Sequence, residues 1–306
     1  MPKYLLCRPE AGLNDMLRQL SICADYCLRQ GRVLVIDTES THVFSAPFRD
    51  YFSLAIKRLT VRLDAAEFLE YAETNRLSIY PPSGKLRYGT DRPDYESDAR
   101  NYCLNGVQQT FDFKREYAED ILLHHQCGGG QPSDRLVRGI RLSPWLAGCF
   151  QQRWSALPKP YVGIHIRDTD KKSSSEEVLP VIQRCRRAVF LATDSVAAQQ
   201  RARQLRSTGL FMSEIPDYGG LPIHHQPVTP DEKRLGNATA VIDLLILSLA
   251  ETVYVSTTGS GYSKLAQRLN GKQPWVLLWF SGAGRGFRLR LWLHVLRNRF
   301  QRLFVR

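Results

Sequence analysis

The chain has no apolar stretch long enough to span a bilayer. Its longest, Val241 to Val255, carries Asp243 and Glu251 and falls short of the ~20 residues a spanning helix needs. It reads as a core helix followed by a strand. The opening Met-Pro-Lys-Tyr-Leu-Leu-Cys-Arg is too short an apolar run for a signal peptide, so no export is expected. The seven cysteines are odd in number and scattered, with neither zinc-type pairs nor the dense spacing of a disulfide scaffold, and a reducing compartment fits them best. Cys23 and Cys27 would fall one helical turn apart, but a second ligand pair is missing, so they read as buried thiols. The low-hydropathy, high-charge signature of disorder is absent too: 43% of the residues are hydrophobic and 24% charged.

What is present is a globular chain of 306 residues, a length for which two domains are the first expectation. Lys and Arg outnumber Asp and Glu by 42 to 30, a net charge of +12 that favours anionic partners: nucleotides, nucleic acid or acidic lipid surfaces. Charge alone does not choose among them.

Tyr4 to Cys7 reads as a buried strand. Leu13 to Arg29 places Leu13, Leu17, Leu20 and Ala24 at helical spacing before Gly31, and Arg32 to Asp37 reads as a second buried strand. Such a β-loop-α-β unit builds doubly wound parallel sheets. Between 38 and 158 the convincing helical runs are Phe68 to Arg76 and Arg115 to His125, separated by turn-rich stretches. Gly128 to Gly130 lacks the preceding strand and following Lys-Ser or Lys-Thr of a phosphate-binding loop, and reads as an ordinary loop. After the linker-like Leu157-Pro-Lys-Pro160, strands are expected at Tyr161 to Ile166, Ala188 to Ala192, Thr252 to Ser256 and Trp275 to Phe280. Helices are expected at Glu177 to Arg186, Val196 to Leu205, Ala238 to Leu249 and Ser263 to Leu269. The class is α/β.

Ligands of open α/β sheets collect at the carboxyl ends of strands. The first of these four strands runs into His165-Ile-Arg-Asp-Thr-Asp-Lys171, a dense polar knot that is costly to pack unless the planar fork of Arg167 grips a diphosphate while a neighbouring carboxylate or lysine relays protons. A solvated loop is the bland alternative. The second ends in Thr193-Asp-Ser195, where either polar residue serves as a helix N-cap. The third leads through Ser256-Thr-Thr-Gly-Ser-Gly-Tyr-Ser263 into a helix, a sequence equally suited to a plain turn with an N-cap and to a phosphate cradle of backbone N–H groups.

These segments resemble the fucosyltransferase superfamily that contains alpha-1,6-fucosyltransferases, bacterial nodulation fucosyltransferases and, more distantly, protein O-fucosyltransferases. His165 to Lys171 looks like its His-x-Arg-x-Thr-Asp-Lys segment, Phe190-Leu-Ala-Thr-Asp194 like its second motif, and Asp243 with Ser256 to Leu265 like its third. Gly12-Leu-Asn-Asp-Met-Leu with Gly31 to Asp37 resembles its amino-terminal opening. The resemblance covers 1–37 and 161–270. It implies a GT-B-type fold, two Rossmann-like domains facing a cleft, with an acceptor-side domain at 1–157 and a nucleotide-sugar domain at 158–284. It also implies an inverting transfer of fucose from GDP-fucose to a glycan or lipid-linked glycan, with no metal and no cofactor beyond the donor. By that resemblance Arg167 binds the donor diphosphate, His165 and Asp243 bind the nucleoside, and Asp194 lies beside the donor. Thr258 or Ser260 takes a phosphate oxygen, and Asp170, Lys171 and a glutamate, Glu176 or Glu177, form the proton relay.

Two other readings stand beside this one: a transferase of the same fold using another nucleotide sugar, and a basic nucleotide- or nucleic-acid-binding protein. No nucleic-acid motif appears, and the basic excess is concentrated at the end. Residues 285–306 hold seven arginines and no acid, with Phe287, Leu289, Trp292, Leu293, Leu296, Phe300, Leu303 and Phe304 as apolar residues that mostly share one face. That pattern predicts a basic amphipathic helix, suited to a cytoplasmic protein lying peripherally on an anionic membrane or to a closing helix packed on its own domain.

Overall fold

The computed structural model describes residues 2–168, 177–215, 229–256 and 259–304. The chain divides into two compact units, Met1–Ser143 and Pro144–Arg306, each built on its own parallel sheet.

The first unit runs through β1 (Tyr4–Pro9), α1 (Leu13–Gln30), β2 (Val33–Ile36), β3 (Phe52–Leu54), β4 (Val61–Arg62), α2 (Ala65–Thr74), β5 (Ile79–Tyr80), β6 (Asp94–Glu96), β7 (Asn101–Leu104), β8 (Val107–Gln108), β9 (Ile121–Gln126), α3 (Asp134–Gly139) and β10 (Ile140–Leu142). Its main sheet has the order β4-β2-β1-β9-β5, parallel throughout. The expected β-α-β opening is present. Gly31 closes α1 in the left-handed conformation (φ 64°), its N–H on the Cys27 carbonyl, where a side chain would be strained. Cys23 and Cys27 lie buried in α1 as small apolar side chains. Contrary to expectation a strand, β9, does precede Gly128–Gly130, but the stretch is a loop pinned by α1, with Gln19 Nε2 donating to the Gly128 carbonyl (3.0 Å) and Asn14 Nδ2 to that of Gly130 (3.0 Å).

One expected helix is a strand instead. Within Arg115 to His125, residues from Ile121 onward form β9, which pairs with β1 at the centre of the sheet and is buried along its whole length. A strand covered on both faces needs no alternation of polar and apolar residues, so helix-forming composition was overridden by tertiary burial.

The second unit contains α4 (Pro144–Ala156), β11 (Tyr161–Ile166), α5 (Leu179–Arg184), β12 (Ala188–Thr193), α6 (Val196–Leu205), β13 (Leu210–Met212), α7 (Pro230–Leu249), β14 (Val253–Val255), α8 (Gly261–Gly271), α9 (Gln273–Trp279) and α10 (Arg285–Phe304). Helix α4 belongs here: Phe150 packs at a tilt against Phe280 (centroids 4.7 Å apart) and Trp154 meets Phe287 edge-on (5.8 Å). The units therefore divide ahead of α4, and Leu157 to Pro160 lies inside the second. The fourth expected strand, Trp275 to Phe280, is the helix α9; Pro274 in its first turn starts a helix readily, and a short apolar run does not by itself distinguish the two states. The sheet gains the short β13 instead.

The order is β13-β12-β11-β14, all parallel. Helix α7 begins on a capping box of Thr229 and Glu232 with Pro230 in the first turn, then buries Val241–Leu249. It packs directly on β11 at Gly163, where an added Cβ would come within 3.0 Å of Ala250 Cβ and 3.1 Å of Leu247 Cδ2. On this sheet Val162, Ile164, Ile166, Val189 and Leu191 share a core cluster with Ile182, Ala198 and Ala202.

Candidate functional site

The strand order of the second unit reverses beside β11. The chain winds from β11 to β12 to β13, then returns to lay β14 on the other side of β11. At such a switch point the loops after the two central strands part company, leaving a crevice at their carboxyl ends that binds ligands in open α/β sheets.

His165 stands near the end of β11, opposite Ala192 of β12 and Val255 of β14. It is buried, its Nδ1 lies 2.7 Å from Ser263 Oγ in the first turn of α8, and its ring centroid is 4.8 Å from that of Tyr262. Burial, with the Arg167 charge adding to it and Asp194 opposing, pushes His165 down to about 4, so the ring is neutral at pH 7 and offers one donor and one acceptor.

Arg167 joins three strand ends. Its backbone N–H donates to Ser256 Oγ just past β14 (3.1 Å), and its guanidinium Nε meets Asp194 Oδ2 just past β12 (3.1 Å). The other oxygen of Asp194 accepts the Asp168 N–H (2.9 Å). Ser195 is the N-cap of α6, accepting from Ala198 N–H, while its hydroxyl donates to Asp168 Oδ2 (3.2 Å). Of the two polar residues after β12, Ser195 caps the helix and Asp194 faces the arginine. Ser260 is the N-cap of α8, its Oγ accepting from Ser263 N–H (3.3 Å). A helix amino terminus and a guanidinium thus converge on one crevice, a combination suited to an anion.

Asp243 reaches the same neighbourhood from α7. It is buried, with Oδ1 accepting from Ser213 Oγ (2.5 Å) and from Arg153 Nη1 (3.3 Å), and burial pushes it up to about 6 against both partners. Arg153 also donates to Ser213 Oγ (2.7 Å). Tyr262 links the two groups: its hydroxyl donates to the Ala240 carbonyl of α7 (2.8 Å), its ring lies against His165, and the charges of Asp243 and Arg167 act on it in opposite directions.

His165, Arg167, Asp194, Asp243 and Ser260, spread over almost a hundred positions, are thus joined through Ser256, Tyr262 and Ser263. Asp170, Lys171, Glu176 and Thr258 lie outside the described residues. Arg153, Ser213 and Tyr262 were not singled out by the sequence. Ser213 directly follows β13, so recognising that three-residue strand would have brought the strand-end rule to it. Arg153 carries no such signal, being one arginine in a helix.

No protein-family model and no curated protein sequence matches the chain. Solved structures do. A NodZ alpha-1,6-fucosyltransferase soaked with GDP-fucose superposes with a TM-score of 0.60 at 21% identity, over 88% of this chain and 92% of that one. The fold is that of the fucosyltransferases. Fucosyltransferase NodZ from Bradyrhizobium gives 0.60 at 20% identity, over 88% of this chain and 94% of that one. POFUT1 in complex with GDP-fucose gives 0.52 at 12%, over 87% and 94%. Over most of the chain the fold is similar to that of these solved structures.

Proposed function

We propose that this chain is a metal-independent, inverting fucosyltransferase of the GT-B type, taking fucose from GDP-fucose to a glycan or lipid-linked glycan. The carrying observation is the convergence of Arg167, the α8 amino terminus and buried His165 at the β11/β14 switch point. It occurs in a chain folded like NodZ and POFUT1, both solved with GDP-fucose.

In this reading the second unit holds the donor and the first unit serves the acceptor. Arg167 and the first-turn N–H groups of α8 take the diphosphate, with Ser260 or Thr258 completing its contacts; His165 and Asp243 order the nucleoside. An acceptor oxygen attacks the anomeric carbon of fucose as the bond to the β-phosphate oxygen breaks, and GDP departs with the electron pair. The charge that grows on it is met by Arg167, a fixed cation in a partly enclosed site, so the transition state is stabilised more than the bound donor. The acceptor proton passes to a base, for which the motif offers Asp170, Lys171 and Glu176, and the β-linked sugar becomes α-linked. The test is incubation with GDP-fucose, GDP-mannose and UDP-sugars and a glycan panel, with products read by mass spectrometry. Deoxyhexose transfer from GDP-fucose supports the reading. Transfer of another sugar assigns the same fold to a different donor, and GDP-independent binding of single-stranded nucleic acid rejects it.

A further inference from the structure

Helix α10 has two faces with different fates. Phe287, Leu291, His294, Val295 and Asn298 form its inner face and are buried. Polar residues lock that face onto the second unit: His294 Nε2 lies 2.8 Å from the Leu249 carbonyl, Asn298 Nδ2 donates to the same oxygen (2.9 Å), and Arg302 Nη1 donates to the Asn270 carbonyl (2.9 Å). The helix is therefore part of its unit and has its orientation fixed.

Its opposite face is apolar as well. Leu289, Leu293, Leu296 and Phe300 follow at spacings of four, three and four residues, one stripe along the helix, with Trp292 on its shoulder. Leu289 is 57% exposed, Trp292 48%, Leu293 52% and Phe300 60%. At 3.6 residues per turn, Arg290 and Arg297 line one side of this stripe and Arg288 and Arg299 the other, all four exposed. Leu278 of α9, also partly exposed, extends the apolar surface beside Leu289 and Trp292. No acidic residue follows Glu251 in the sequence.

The geometry points to an anionic lipid bilayer as the partner of this face, with α10 lying in the plane of the headgroups. A bilayer meets a helix as apolar below and anionic on both sides, and this helix is apolar along its outer crest with guanidiniums on both shoulders. Arginine side chains reach outward to phosphate while their stems stay in apolar surroundings, and Trp292 suits the boundary between the two. A second copy of the chain would set arginine rows against arginine rows with no acid between them. No described helix is long and apolar enough to cross a membrane, so the contact is peripheral. This inference does not depend on the chemistry of the β11/β14 crevice.

The test is co-sedimentation of the full chain with vesicles of equal parts phosphatidylglycerol and phosphatidylcholine, against pure phosphatidylcholine. Binding to the first, lost in high salt, is expected. Replacing Arg288, Arg290 and Arg297 together by Gln should weaken partitioning on the order of a hundredfold. Leu289→Asp with Leu293→Asp should abolish it, with circular dichroism and GDP binding unchanged because both positions are exposed. Equal vesicle binding by either variant overturns the proposal, as does failure of the unaltered chain to bind. So does sedimentation as a dimer that Leu289→Asp dissociates, which would assign the face to a second copy.

Discussion

Arg167 and Asp194, on neighbouring strand ends, are held in register by one carboxylate. One Asp194 oxygen takes the guanidinium Nε at 3.1 Å while the other takes the Asp168 N–H at 2.9 Å, so the arginine is oriented by the same group that ties down the loop it leaves on. A cation aimed in advance costs little reorganisation when charge develops on a leaving group. Arg167→Ala should therefore lower kcat/KM by roughly 10²–10³-fold with the fold intact. Arg167→Lys should recover little, because a point charge does not reproduce the planar fork. Asp194→Asn should keep an acceptor for Asp168 N–H but lose the ion pair, giving a smaller loss than Arg167→Ala. Steady-state kinetics with GDP-fucose checks the order, and near-normal turnover by Arg167→Ala would remove the diphosphate role.

Much of this site was legible because strand ends announce themselves: an apolar run ending abruptly in His165, Arg167 and Asp168 has few purely structural explanations, and α/β topology says where such ends gather. The pairing of Arg167 with Asp194 was not legible: the sequence set both beside one donor but did not say that the two side chains meet each other. Arg153 and Ser213 were hidden for the same reason, their importance arising only from a shared buried carboxylate on α7. In the fold, β9 and α9 were misread because short apolar elements carry no usable period; α7 was read from the length of its apolar run, Ala238 to Leu249, without its polar first turns from Pro230, whereas α10, being long and two-sided, showed its period.

Asp243 and His165 give opposite pH dependences. Burial raises Asp243 from 3.8 to about 6, so its native contribution is complete below the unfolded value and is lost as pH rises through about 6, a change of at most about 3 kcal/mol. Burial lowers His165 from 6.5 to about 4, so its contribution is present above the unfolded value and lost as pH falls through about 4. Asp243→Asn keeps an acceptor for Ser213 without the charge, so its stability relative to the native chain should rise between about pH 4 and about pH 7. His165→Gln should reduce the loss of stability on acidification over the same range. Urea unfolding across that range, followed on the transition of the second unit, decides; a native pH profile for Asp243→Asn would mean that the carboxylate is not buried in the charged form at neutral pH.

Transfer should survive excess chelator. Arg167 already supplies positive charge where the diphosphate is proposed to bind, and the Asp168 carboxylate within Asp168-Thr-Asp170 is engaged by the Ser195 hydroxyl at 3.2 Å. Assay after dialysis against chelator, then with manganese added back, checks this. Abolished transfer restored by manganese would reassign the Asp-Thr-Asp segment to a metal.

In the first unit, the stability of the sheet should hinge on one buried ion pair. Asp37 directly follows β2 and donates its own N–H to the Cys7 carbonyl (2.9 Å), and its Oδ2 takes Arg8 Nε of β1 at 2.6 Å, both side chains being at most 1% exposed. Arg8 also donates to the carbonyls of Lys85 (2.9 Å) and Leu86, and lies 4.5 Å from the centre of the Tyr88 ring, so its hydrogen bonds are met but Asp37 is its close counter-charge. Asp37→Ala strands a guanidinium in the core and should cost about 3–5 kcal/mol in urea unfolding. Asp37→Asn retains an oxygen acceptor and should cost less. The sharper test is the double change Arg8→Met with Asp37→Leu, which removes both charges along with their desolvation and should be more stable than Asp37→Ala alone. If the double variant is instead the less stable of the two, the contacts of Arg8 with the 85–86 backbone and Tyr88, rather than its charge balance, hold β1 in place.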